Sequence, residues 1–265
     1  MKDAKWFSNQ VVLVTGASGG LGAQIALELA RRDVQLILVA RNESKLEQVA
    51  AECKSFTSKP VDIYSCDLTN DASVNELLAT LDKSHKITMV INNAGLGYFK
   101  LAKDLSESEI SQMLQLNLNA LIKITQHFVP RFIEAKSGVF VNIASQAGKS
   151  ATAKSSVYSA TKFGVLGYSN ALRLELKPYG IHVMTVNPGP IATDFFDKAE
   201  PTGKYLEQLG SVVLDPVKVA GEVVKGIEKE KREVNLPKAM NFASKLNVLF
   251  PKIGDRLLGS IFNKK

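Results

Sequence analysis

The chain has only two cysteines, three histidines and one tryptophan in 265 residues. It also lacks any apolar run near the ~20 residues that a membrane-spanning helix needs. Each shortage excludes something. Cys53 and Cys66 have neither metal-like nor redox-like spacing, so they read as reduced packing residues of a cytosolic protein. His85, His127 and His182 are scattered without an HExxH or similar pattern, so no metal site is expected. No solenoid repeat and no low-complexity tract interrupts the chain. A few polar residues precede the first apolar run at Val11, which leaves no room for a signal peptide. Basic runs interleaved with aromatics are missing too, and with them the mark of a nucleic-acid module.

What is present is globular: 45% hydrophobic and 22% charged residues, in a length suited to one large α/β domain. The net charge of +7 is read first as a solvated basic surface, then as attraction for an anionic cofactor or membrane surface. Six β-rich runs recur: "QVVLVT", "VQLILVA", "VDIYSC", "ITMVIN", "GVFVNIA" and "IHVMTVN". They are almost continuously apolar, as strands buried on both faces should be. Helical patterns such as "LGAQIALELARR" and "ESKLEQVAAECK" separate them. That alternation predicts a Rossmann-like α/β fold, a single domain with a doubly wound parallel sheet of about seven strands. Such sheets bind ligands outside the carboxyl ends of their strands.

The first of those ends reads "VTGASGGLGAQIALELA". Gly16 permits a tight turn, Gly20 lets a phosphate approach the backbone, and Gly22 lets helix and strand pack closely. The amides and dipole of the helix start then favour a pyrophosphate. At the second strand end an acidic residue would bind the adenosine ribose hydroxyls. "LILVARNESK" instead places Ala40 there, followed by Arg41. A guanidinium can pair with a 2′-phosphate, so NADP(H) is favoured over NAD(H). In "SSVYSATKFGVLG", Tyr158 and Lys162 share one helical face. A solvated surface pair has the same spacing.

With Thr15 before it, the Gly16–Gly20–Gly22 spacing resembles the TGxxxGxG turn of the short-chain dehydrogenase/reductase family, in its compact branch. The resemblance covers about residues 8 to 237, with each signature element in order. It implies cofactor contacts from Ser18 and Leu21 in the turn, and from Asp67 and Leu68 in "CDLT" beside the adenine. "INNAG" resembles the family's NNAG element, so Asn93, Ala94 and Gly95 would wall the cofactor. "VNPGPIATDF" resembles PGxxxT, which implies Pro188 and Gly189 at a turn and Thr193 against the nicotinamide carboxamide. Asn117, Ser145, Tyr158 and Lys162 correspond to the family's catalytic tetrad, with Asn117 fitting the pattern better than Asn119.

The chemistry gives each of them a part. Reduction of a ketone builds negative charge on its oxygen, which must receive a proton. Free tyrosine, with a pKa of about 10, is a poor donor and base at neutral pH. A positive charge ~4 Å away, at an effective dielectric of ~20, is worth roughly 4 kcal/mol, a ceiling of about 3 pKa units. Lys162 would supply that field, hydrogen-bond the nicotinamide ribose, and so place cofactor and acid together. Ser145 would hydrogen-bond the substrate oxygen. Asn117 would hold a water linking Lys162 to solvent.

The expected activity is NADP(H)-dependent interconversion of a carbonyl and a secondary alcohol. A 3-oxoacyl thioester reductase is the second enzymatic reading, and an NADP(H)-sensing regulator without turnover is the reading of another class. A substrate loop is expected at about 191–214, where Phe195, Phe196, Tyr205, Leu206 and Leu209, with Tyr98 and Phe99, either line an apolar carbonyl pocket or close over the core. The segment 238–265 is basic and amphipathic. After Pro251, the residues Ile253, Leu257 and Ile261 fall on one helical face, with Lys252 and Arg256 nearby. It would cover the pocket, pack on another subunit, or lie on an anionic membrane. The family's habit of pairing through its long helices implies a homodimer or homotetramer. The expected location is cytoplasmic, with the membrane surface as a second site.

Overall fold

A computed structural model describes residues 2–200, 207 and 209–252. The apolar runs form β1 (Val11–Thr15), β2 (Gln35–Ala40), β3 (Val61–Ser65), β4 (Met89–Asn92), β5 (Gly138–Ile143) and β6 (Ile181–Pro188). A seventh strand, β7 (Glu233–Leu236), pairs with β6. At four residues, with only Val234 buried, it is too short and too polar to stand out as an apolar run. All pairings are parallel, in the order β3-β2-β1-β4-β5-β6-β7. The order reverses between β1 and β4, the place where doubly wound sheets open a crevice.

Burial on both faces explains the continuous apolar runs. Val12 and Val14 of β1 point into one core layer and Leu13 into the other. The first layer is covered by α2 (Gly20–Ala30), α3 (Glu43–Lys54) and α9 (Pro216–Glu228). The second is covered by α4 (Asp71–Ser84), α6 (Ala120–Ala135) and α7 (Ser156–Leu176). Short α1 (Ala4–Ser8) adds Phe7 to the first layer.

The helix starts carry their own instructions. Asn42 caps α3, Asn70 caps α4, and Asp215 precedes Pro216 at the start of α9, each side chain accepting a backbone N–H otherwise left unpaired. Ser106 and Glu109 form a capping box on α5 (Glu107–Leu114). A π turn over Gln115–Asn119 joins α5 to α6 and contains the buried Asn117. The apolar periodicity runs through that turn, which is why sequence spacing does not reveal it. Beyond β6 lie α8 (Phe195–Ala199) and, after β7, α10 (Lys238–Leu249). Tyr205, Leu206, Ile253, Arg256, Leu257 and Ile261 lie outside the described residues. Pro251 and Lys252 are helical.

Candidate active site

A cavity of about 600 Å³ opens at the carboxyl ends of the strands, beside the β1–β4 reversal. Its floor is the turn after β1. Gly16 has φ +66°, a conformation costly for any residue with a β-carbon. A β-carbon on Gly22 would overlap the Gly16 carbonyl oxygen, so helix α2 approaches this closely only with glycine there. Thr15 and Asn93 hold the turn in place. The Thr15 hydroxyl accepts from the Asn93 and Ala94 amides at 3.0 and 3.1 Å, and Asn93 Nδ2 donates to the Thr15 and Gly16 carbonyls. Asn93 therefore acts largely by fixing the turn, besides lining the cavity.

Ser18, Gly20, Leu21 and Ala94 face the cavity with Gly16. At the far end of the floor, Arg41 is joined by Asn42 and Lys45, which motif reading missed. Lys45 lies in the first turn of α3, four positions after Arg41, and its ammonium reaches Asp194 at 3.5 Å across the opening. Asp67 and Leu68 close this end. Burial opposes ionisation of Asp67, but its hydrogen bonds from Thr69 and the nearby Arg41 outweigh that and lower its pKa.

The other half of the cavity holds Ser145, Tyr158 and Lys162. Tyr158 and Lys162 are both buried on the first turns of α7, which excludes the solvated surface pair. Lys162 Nζ lies 5.8 Å from the centre of the Tyr158 ring and donates to the Ile143 carbonyl at 2.8 Å. Burial dominates both groups in this structure. It pushes the Tyr158 phenol up to about 12, against a smaller pull from a hydrogen bond with Ser145. It brings the Lys162 ammonium down to about 8. The lowering of the phenol expected from the ammonium is not among these causes; desolvation sets the direction. Ser145 also caps a short turn, its hydroxyl accepting from the Ala147 amide at 3.0 Å.

Asn117 does not line the cavity. Its Oδ1 accepts from the Leu96 amide at 2.8 Å, and its Nδ2 donates to the Leu96 carbonyl and to Thr161. A β-carbon added to Gly95 would meet both Asn117 Oδ1, at 3.3 Å, and Lys162 Nζ, at 3.6 Å. The side chain thus pins the loop after β4 beside Lys162, and only the second lone pair of Oδ1 is left for a water. Asn119 is exposed and donates to Gln115.

A buried ladder aligns these parts. Asn92 Nδ2 donates to Thr125 and to Asn142, and Asn142 Nδ2 donates to Ser169. The ends of β4 and β5 are thereby tied to α6 and α7. Pro188, Gly189 and Thr193 descend from β6, and Thr193 packs against Gly20. Ile191 and Leu214 pair as a parallel bridge, closing the base of the segment between them. Phe99 and Phe195 both contact the Tyr158 ring, at centroid separations of 5.5 and 5.8 Å. Tyr98 donates to Gln112, a further lining residue that the motifs did not reveal. Met240, Ala243 and Ser244 of α10 complete the wall. Cys66 also reaches the cavity, but burial pushes its thiol up to about 11. His182 sits at the opposite end of β6.

The glycine floor, the backbone amides at the start of α2 and the cations beyond β2 fit a phosphorylated dinucleotide. Gly16, Ser18, Gly20 and Leu21 would hold its pyrophosphate, Arg41 and Lys45 a 2′-phosphate, and Lys162 and Thr193 the nicotinamide half.

The family model described as short chain dehydrogenase matches residues 10–203. The ketoacyl reductase HetN of a Nostoc species is 34% identical over 233 residues, covering 86% of this chain and 78% of that protein. The structure of a short-chain dehydrogenase from Sphingobium yanoikuyae in complex with NADPH superposes with a TM-score of 0.82 at 29% identity, covering 93% of this chain and 96% of that one. A bulky-bulky ketone specific alcohol dehydrogenase from Comamonas testosteroni superposes with a TM-score of 0.77 at 25% identity, covering 92% and 94%.

Proposed function

This chain belongs to the short-chain dehydrogenase/reductase family of oxidoreductases, and on that premise we propose that it interconverts an apolar ketone and its secondary alcohol with NADP(H). The observation that carries the reading is the burial of Tyr158 and Lys162 together with Ser145 on the wall of a cavity whose floor is a glycine turn. NADP(H), when bound, supplies or accepts the hydride. Tyr158 Oη gives its proton to the ketone oxygen as negative charge develops there, and takes one back in alcohol oxidation. Ser145 Oγ hydrogen-bonds the same oxygen. Lys162, held by the Ile143 carbonyl, supplies positive charge beside the phenol and hydrogen-bonds the nicotinamide ribose. Phe99, Phe195 and Phe196 supply the apolar surface for the substrate.

The preference for NADP(H) is carried by Arg41 and Lys45, with Ala40 where a carboxylate would read the ribose. A 3-oxoacyl thioester is the second substrate class, supported by the likeness to a ketoacyl reductase. The sensor reading loses ground because Tyr158, Lys162 and Ser145 are all retained around the cavity. The exposed Phe163 and Leu174 of α7 support pairing of two copies through the α6–α7 face. Free, buried Cys53 and Cys66 suit the cytoplasm.

The test is NADPH oxidation across aliphatic, aromatic, steroidal and 3-oxoacyl ketones. We expect turnover confined to one apolar class, lowered roughly 10²–10⁴-fold in Tyr158→Phe with NADPH affinity kept. Silence across the panel despite tight NADPH binding would favour the sensor.

A further inference from the structure

Helix α10 has two faces with different neighbours. Its inner face, Met240, Ala243 and Ser244, walls the cavity. Its outer face carries Phe242, Leu246 and Leu249, exposed by 65%, 43% and 69%. Spaced four and three apart, these three side chains form one continuous stripe. Phe250, 56% exposed, extends it. Isolated exposed apolar residues need no explanation, but a contiguous apolar helix face does.

Charge identifies the occupant. Lys238, Lys245 and Lys252 are all exposed along this segment, which has no carboxylate of its own. Glu233, just before it, is taken by Lys149 at 2.6 Å. From Lys238 onwards the sequence holds six Lys and Arg residues and one acidic residue, Asp255, a net +5 of the chain's +7. A second copy docking face to face would bring two such clusters together and repel. An anionic lipid surface satisfies both features: acyl chains accept the stripe, and headgroups accept the lysines.

We propose that the outer face of α10 docks the protein peripherally on an anionic membrane surface, Phe242, Leu246 and Leu249 entering the headgroup boundary and Lys245 and Lys252 pairing with lipid phosphates. The cavity wall and the lipid-facing surface are then two sides of one helix. No helix among the described residues is long and apolar enough to cross a membrane, so the contact is reversible and salt-dependent.

Sedimentation of the full chain with vesicles tests this independently of turnover. Wild type should sediment with phosphatidylcholine–phosphatidylserine vesicles, and not with phosphatidylcholine alone. Lys245→Gln with Lys252→Gln should weaken binding about thirty-fold, since each surface cation contributes on the order of 1 kcal/mol. Phe242→Ser with Leu246→Ser and Leu249→Ser should weaken it at least tenfold and leave NADPH affinity and oligomeric state unchanged. No sedimentation of wild type, or unaltered sedimentation of the serine variant, would overturn the proposal. A fall in oligomeric order in that variant would also overturn it, because the stripe would then be an interface between copies.

Discussion

Lys162 is a cation kept where solvation would rather it were neutral. Its ammonium is buried and has one carbonyl partner, and its pKa falls from 10.5 to about 8. The sign of the consequence follows from linkage. Below about pH 8 both folded and unfolded chains are protonated at this site, and the burial cost is fully present. Between about 8 and 10.5 the unfolded chain holds the proton and the folded chain does not, so stability contributed by this group rises with pH. Lys162→Met, which removes the charge and keeps the stem, is therefore expected to be more stable than wild type at pH 7 by about 1–3 kcal/mol. The gain should shrink towards zero as pH approaches 10.5, while turnover is lost. Denaturant titrations of both proteins at pH 7 and pH 10 check this; a gap that does not change with pH would mean that packing, not charge, sets the difference. Tyr158 and Lys162 are legible in sequence as a helical pair, but the direction of their pKa shifts is not, because desolvation depends on what α7 packs against.

Among the elements, the turn from β1 into α2 is the one whose geometry is dictated residue by residue. Gly22→Ala would drive a β-carbon into the Gly16 carbonyl, so α2 must shift away from its strand. A loss of about 1–3 kcal/mol in stability is expected, typical of overpacking, together with at least tenfold weaker NADPH binding. Gly19→Ala in the same turn points into open space and should stay within about 0.5 kcal/mol of wild type. Thermal and denaturant melts of the two variants separate a special turn from a merely glycine-rich one. Glycine spacing announces this turn in the sequence because no other residue satisfies it. The π turn at Gln115–Asn119 and the Asn92–Asn142–Ser169 ladder leave no such trace. The π turn is built of ordinary Gln, Leu and Asn residues, and the polar side chains of the ladder have partners 27 to 50 positions away.

At the scale of the whole molecule, the cavity is assembled from the ends of six strands and from the helices that follow them. A ligand there binds only the folded chain, so NADPH at a hundred times its Kd should add about 2.7 kcal/mol of stability. For a domain of this size that is roughly 5–10 °C in Tm. NADH at the same concentration should raise Tm less, and Arg41→Asp should shrink the NADPH shift while sparing that of NADH. Equal shifts in wild type would show that neither Arg41 nor Lys45 reads a 2′-phosphate.

The sequence by itself determined the parallel sheet, because strands buried on both faces must be apolar throughout and helices must alternate with them. It determined the family too, since the glycine turn and the Tyr–Lys helix stand in a set order along the chain. Only the tertiary structure decided who meets whom at the cavity. Lys45 reaches Asp194, Phe195 lies on Tyr158, and Met240 comes back over Gly189. Asn117 turns its amide to Leu96, and α10 shows one face to the cavity and the other to solvent. These contacts join residues far apart in the chain through packing and hydrogen bonds. No local propensity encodes such contacts, and that is why they were invisible until the chain was folded.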